Sequence, residues 1–69
     1  MTNLYFRLKE FRTKAELSQQ KLAKMVGASQ TNISDIESGK VTPTLFLAKR
    51  IANVFAVSLD EMIDDSEGN

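Results

Sequence analysis

Apolar residues along the chain recur at intervals of three and four, the spacing that sets side chains on one face of an α-helix. Leu4, Leu8 and Phe11 fall four and three apart, which predicts a basic amphipathic helix over about 4–14. Leu22 and Val26 share a face of a second predicted helix, Gln19–Val26, for which Ser18 is a suitable N-cap. Gly27-Ala28 breaks the pattern, and Ser29 can cap a third helix, Gln30–Glu37, that turns Ile33 and Ile36 inward. Thr42-Pro43, a hydroxyl followed by proline, reads as another start signal. Leu45, Ala48, Ile51, Ala52 and Phe55 mark the helix that follows, ending near Phe55. Ser58 and Glu61 have capping-box spacing and open a last helix, Leu59–Ile63. No segment sustains the alternation of a half-buried strand, so the pattern predicts an all-α fold of five short helices. Residues 64–69 form a polar tail expected to fray, which leaves 1–63 as the domain.

Composition narrows the chemistry. Sixty-nine residues hold one domain, and a chain this short hides only about 60% of its unfolded surface on folding. Absence of cysteine excludes disulfides and thiolate metal sites. Absence of histidine removes the remaining common zinc and haem ligand and the usual partner of a catalytic serine. Only scattered carboxylates and serines remain, so neither an enzyme nor a cofactor is expected. No apolar run approaches the roughly 20 residues of a membrane span, and Met1–Leu8 has no signal-peptide core. The expectation is a cytoplasmic binding module with no membrane partner.

The formal net charge is zero, but the charges are segregated. All nine bases lie in residues 1–50 with only Glu10, Glu16, Asp35 and Glu37 to offset them, which gives +5. Residues 51–69 hold five acids and no base, hence −5. Such a molecule can offer its basic part to a polyanion with the acidic part turned away. The plain alternative is a solvated surface of uneven charge.

The informative stretch is Gln19–Ser38, QQKLAKMVGASQTNISDIES. Two helices of about eight residues joined by a three-residue turn must cross closely. Ala23 sits where a larger side chain would push the next helix away. Gly27 ends the first helix, where a residue without a Cβ adopts the left-handed conformation at least cost. Leu22, Val26, Ile33 and Ile36 fill the wedge between the two. This combination resembles the lambda-repressor-like helix-turn-helix regulators, the phage repressors, Cro proteins and related small bacterial proteins. Leu8-x-x-Phe11-Arg12 before it, Ile36-Glu37-Ser38-Gly39-Lys40-Val41-Thr42-Pro43-Thr44-Leu45 after it, and Val57-Ser58-Leu59-Asp60-Glu61-Met62-Ile63 near the end extend the likeness over about 4–63.

The resemblance implies a five-helix DNA-binding domain whose third helix, Gln30–Glu37, enters the major groove while the second, about 19–26, crosses the backbone. Gln30, Thr31, Asn32, Ser34 and Asp35 are the polar residues of that third helix. Amides can pair with adenine, hydroxyls with several bases, and a carboxylate with cytosine N4. Asp35 must therefore read cytosine or face away from the duplex. Gln19, at the first turn of its helix, is placed by the resemblance against a phosphate, with Lys40 and Thr42 as further candidates and Lys14 and Lys21 as longer-range attraction. For each lysine the alternative is a solvated surface charge. The resemblance also pairs Arg12 with Glu37 as a structural ion pair.

Two features depart from the family pattern. The third helix has no Lys or Arg and is net negative, and Phe46 occupies a site that is usually polar, on the face of Arg50 and Asn53. The family commonly dimerises through its last helices, so Phe55, Val57, Leu59, Met62 and Ile63 are the expected seam of a homodimer. The resulting expectation is a sequence-specific, nucleoid-associated regulator of transcription, a repressor in preference to an activator, that reads a palindrome in double-stranded DNA. The competing class is a protein-interaction module of the same fold, an antitoxin or anti-regulator with a protein partner, favoured by the negative third helix and by Phe46.

Overall fold

A computed structural model describes residues 4–65 of the chain. Five helices follow one another: α1 Leu8–Lys14, α2 Gln19–Val26, α3 Gln30–Ser38, α4 Leu45–Val54 and α5 Leu59–Met62. Local chemistry explains where most of them start. Ser18, Ser29, Thr44 and Ser58 each accept a hydrogen bond from the backbone N–H three residues on, which satisfies one free donor of α2, α3, α4 and α5. Ser18, Ser29 and Ser58 are the caps read from the sequence. For α4 the reading shifts by two residues: the cap is Thr44, not Thr42, and Pro43 precedes the helix instead of opening it. At the other end α3 runs one residue past the expected boundary, to Ser38.

The first predicted helix is corrected more substantially. Residues Leu4–Phe6 form a short strand, β1, and α1 begins only at Leu8. Strand β1 pairs antiparallel with β2, Ile63–Asp65, in the register Leu4↔Asp65, Tyr5↔Asp64 and Phe6↔Ile63. The Arg7 N–H continues the tie by donating to the Met62 carbonyl at 2.6 Å. The three-four spacing of Leu4, Leu8 and Phe11 satisfied a helix locally, but a partner about 60 residues away decided the outcome. Leu-Tyr-Phe suits a pleated strand as well as any helix. The domain boundary expected at residue 63 thus falls inside β2, and the remaining tail, 66–69, lies outside the described residues.

One core holds the helices together. Leu8, Leu22, Ala23, Val26, Ile33, Ile36, Ile51, Ala52 and Met62 are buried, with Phe6, Phe11, Leu17 and Phe55 packed at its edge. Ala23 and the wedge of Leu22, Val26, Ile33 and Ile36 lie at the α2–α3 crossing as the sequence required. Gly27 adopts φ 73° at the turn, and a Cβ there would come within 3.1 Å of the Arg50 Nη1 that hydrogen-bonds the Val26 carbonyl. That guanidinium therefore closes the C-terminus of α2, where a positive charge is favoured.

Helices α1 to α4 all end on a left-handed residue, but only α2 and α3 use glycine for it. Glu16 (φ 59°) follows α1 and Ala56 (φ 56°) follows α4. After α4 the Val57 N–H reaches the Ala52 carbonyl and the Ala56 N–H reaches that of Asn53, both at 3.1 Å. A Cβ in this conformation costs about 1–2 kcal/mol, partly offset by the smaller entropy of unfolded alanine. Ala56→Gly is therefore expected to stabilise the domain by about 0.5–1 kcal/mol in urea unfolding, with unchanged helical circular dichroism.

Candidate nucleic-acid interface

Helix α3 is amphipathic in an unusual sense, since its buried stripe contains a charge. Ile33, Ile36 and Glu37 face the interior, whereas Gln30, Thr31, Ser34 and Ser38 are exposed and Asn32 and Asp35 are half-buried along the flanks. Thr31, Ser34 and Ser38 succeed one another at three and four residues and so form one outer ridge. The base-reading candidates from the sequence are thereby divided: Gln30, Thr31 and Ser34 stand open to an approaching surface, while Asn32 and Asp35 lie to its sides. The Asp35 carbonyl is engaged by the loop after α3, accepting from the Lys40 and Val41 N–H groups at 2.9 and 3.3 Å and from Ser38 Oγ at 3.1 Å. No side chain on the open ridge is longer than glutamine, so the α3 backbone can approach a groove floor closely.

What holds α3 at this angle is polar. Glu37 is only 7% exposed, and both its oxygens are occupied. The Arg12 Nε donates to Oε2, and Nη2 donates to Oε1 at 3.1 Å, in the forked geometry an arginine offers a carboxylate. Arg12 Nη1 donates in turn to the Leu17 carbonyl at 2.7 Å, ordering the turn between α1 and α2. Gln19 completes the set, its Nε2 donating to Glu37 Oε1 at 3.0 Å. Three helices meet at one carboxylate. Burial opposes the charge on Glu37, but the hydrogen bonds from Arg12 and Gln19 and the fields of Arg12 and Lys9 outweigh it, and the pKa falls below its ordinary value. The same contact raises the pKa of Arg12.

The network changes two expectations. Half of the negative charge read on α3 is neutralised inside the protein, which leaves Asp35 as its only free acid. Gln19 is half-buried, with one amide hydrogen committed to Glu37, so it joins the scaffold while keeping a second hydrogen for an outside acceptor. Beside it lies a shallow polar hollow formed by Lys9, Gln19, Ser34, Glu37 and Ser38. Lys9 and Ser38 escaped the sequence reading. Ser38 was legible from its spacing to Ser34 and Thr31, but Lys9 depends on how α1 packs, for which no local signal exists. Lys14, Lys21, Lys40 and Thr42 are all exposed, at the end of α1, in the first turn of α2 and in the loop after α3.

The expected seam needs one correction. Met62 is fully buried in the core and can present nothing to a partner, because the chain turns inward at α5 to seat it. Phe55 is half-buried with its ring 5.8 Å from that of Phe11, and Val57 also packs against the core. Leu59 and Ile63 remain at the surface, on the wall of an apolar groove. Among the described residues no cluster of acidic side chains could hold a metal ion, and no helix is long and apolar enough to cross a membrane.

Comparison with known proteins gives concordant results. A helix-turn-helix family model matches residues 8–62. An uncharacterized HTH-type transcriptional regulator of Archaeoglobus fulgidus is 43% identical over 56 residues, covering 81% of this chain and 79% of its own. Among solved structures, the P22 c2 repressor protein in complex with a synthetic operator superposes with a TM-score of 0.78 at 28% identity, over 81% of this chain and 85% of that one. A crystal structure of a protein from Bacteroides fragilis shares the fold, with a TM-score of 0.83 at 24% identity over 90% of this chain and all of its own.

Removing one partner of a buried ion pair costs about 3–5 kcal/mol, and the 12% exposure of the Arg12 side chain places this pair at or below the lower end. Glu37→Ala is expected to cost about 2–3 kcal/mol in urea unfolding at pH 7, whereas Arg12→Met with Glu37→Leu recovers most of it. Glu37 binds its proton less readily folded than unfolded, so its stabilising effect is complete above the ordinary value of 4.5 and is lost as pH falls through the folded value. Wild-type stability should therefore drop in that acid window more steeply than that of the apolar double variant.

Proposed function

The chain belongs to the helix-turn-helix family of the lambda-repressor type, and from that premise we propose that it is a DNA-binding regulator of transcription. Two copies bind a palindromic operator, each laying α3 in the major groove, and repress by occupying it. The observation that carries this reading is the open ridge of short polar side chains on α3, held outward by a buried three-helix network. Gln30, Thr31 and Ser34 are the central base readers in this proposal, with Asn32 and Asp35 at the edges of the footprint. In this proposal Gln19, Lys40 and Thr42 meet the duplex backbone, and Lys14 and Lys21 add longer-range attraction. Internal neutralisation of Glu37 supports the reading, since it removes one of the two charges that would repel phosphate. Residues 1–63 with β2 act as a single binding unit, soluble in the compartment that holds the DNA.

The competing reading, a module of the same fold that grips a protein, differs in salt response. A domain that displaces counterions from several phosphates loses orders of magnitude in affinity between about 50 and 200 mM salt. A contact led by Phe46 would change little over that range. Selection from a random DNA pool with the purified chain should enrich an inverted repeat whose half-sites are about one helical turn apart. Thr31→Ala and Gln30→Ala should each relax the preference at particular positions, by about 1–3 kcal/mol of discrimination. Lys40→Ala should weaken all sequences alike and reduce the salt slope by about one. Equal weakening of every sequence by the α3 variants would overturn the assignment of base readers.

A further inference from the structure

The polar hollow formed by Lys9, Gln19, Ser34, Glu37 and Ser38 has an unbalanced hydrogen-bonding capacity. Glu37 is the only acid in its lining, and both carboxylate oxygens are already occupied by Arg12 and Gln19. Gln19 donates one amide hydrogen to Glu37 and keeps the other. Ser34 is exposed at the rim, where its hydroxyl can rotate toward an acceptor. Ser38 Oγ is spent on the Asp35 carbonyl and supplies only wall. Lys9 brings three N–H donors from α1. Glu10 is paired with Arg7 and Glu37 with Arg12, so among the described residues the Lys9 ammonium has no ion-pair partner. We propose that this hollow takes a single phosphate of the duplex backbone, with Lys9 as the charge that permits an anion beside the buried Glu37. The inference rests on the DNA-binding reading above and adds to it a direct phosphate anchor on α1.

Charge decides the class of occupant. Arg12 and Glu37 cancel, so Lys9 leaves the hollow net positive. A cation would meet an unpaired ammonium and no free acidic acceptor. An anion meets the ammonium, the second hydrogen of Gln19 and the Ser34 hydroxyl, all of them donors. The volume, about 180 Å3, lies below the range of pockets for small organic ligands, which leaves a compact anion. Position decides its source. Ser34 and Ser38 belong both to the hollow and to the outer ridge of α3, so an anion held here stands immediately beside whatever the ridge meets. A duplex whose major groove receives that ridge carries its phosphates along this border.

Lys9 has a task here that the lysines at the edges of the domain do not share. A phosphate at the outer hydrogen of Gln19 is separated from the Glu37 carboxylate by one amide group, and the two negative charges repel. Arg12 offsets part of that repulsion from within the protein. Lys9 supplies the rest from the hollow itself. Its field already acts on Glu37, among the influences that hold that carboxyl below its ordinary pKa, so the ammonium stands within electrostatic reach of the carboxylate. The same field lowers the cost of a second anion at the same place. The contact reads no base: it fixes the height of α3 above one strand, in the same way for every sequence.

Backbone neutralisation tests the pocket. On the inverted repeat recovered by selection, each phosphate in turn is replaced by an uncharged methylphosphonate, and the affinity of the full chain is measured. One position per half-site is expected to cost wild type roughly eight-fold at 0.1 M salt and to cost Lys9→Gln nothing further. Lys9→Gln itself should weaken every sequence by the same factor and flatten the salt slope by about 0.9 per bound copy. Its circular dichroism should be unchanged, since the side chain is exposed. Lys9→Arg should restore the slope. Losses that add at every position, or a salt slope unchanged in Lys9→Gln, would overturn the pocket and leave the DNA-binding reading standing. A wild type from which selection recovers no DNA would overturn both. Exchanging chloride for inorganic phosphate at equal ionic strength should displace no more DNA from wild type than from Lys9→Gln. A stronger displacement from wild type would assign the hollow to free phosphate and overturn the duplex as its occupant.

Discussion

A single carboxylate sets the geometry of this domain. Glu37 belongs to α3, yet it is held by Arg12 from α1 and Gln19 from α2, and the same arginine fastens the turn that connects those two helices. Apolar contacts at the α2–α3 crossing bring the helices together, but they do not by themselves fix rotation about the α3 axis. A forked ion pair does, because guanidinium and carboxylate must be coplanar to engage both oxygens. The buried pair contributes little net stability for the desolvation it demands. Its contribution is orientation: with Glu37 turned inward, helical periodicity leaves Thr31, Ser34 and Ser38 on the outside.

The same arrangement accounts for a surface that would otherwise look ill suited to a polyanion. α3 has no base of its own, and its formal charge is negative. Once Glu37 is neutralised by Arg12, the ridge is nearly neutral, and attraction is left to lysines on neighbouring segments. In the proposed reading, charge at the edges and short hydrogen-bonding groups at the centre separate the two tasks of a DNA interface, positioning and reading. Phe46 lies apart from both, on a helix whose buried side completes the core.

Much of this was legible in the sequence because it is local. The serine caps, Gly27, the small Ala23 and the inward Ile33 and Ile36 each follow from the steric or hydrogen-bonding needs of residues within a few positions. The family resemblance added the Arg12–Glu37 pair, which spacing alone could not have revealed across 25 positions. What escaped was tertiary. β1 exists because residues 4–6 meet residues 63–65; Met62 is lost to any partner because α5 tips it into the core; Lys9 reaches the polar hollow only through the packing of α1. The choice between Thr42 and Thr44 as cap was a nearer miss, since a proline between two threonines permits either start.

The ribbon of β1 and β2 has one further consequence. Because Leu4 is the register partner of Asp65, the described chain is almost a ring, interrupted by little more than a strand spacing. In an open chain, bringing such distant points together opposes folding, and among the described residues this ladder is the contact with the longest loop to close. A covalent bridge across that gap would restrict the unfolded chain by about 4 kcal/mol while asking almost no movement of the native one. The fold is in this sense already pre-arranged for a crosslink between β1 and β2, with α3 on a separate segment of the circuit.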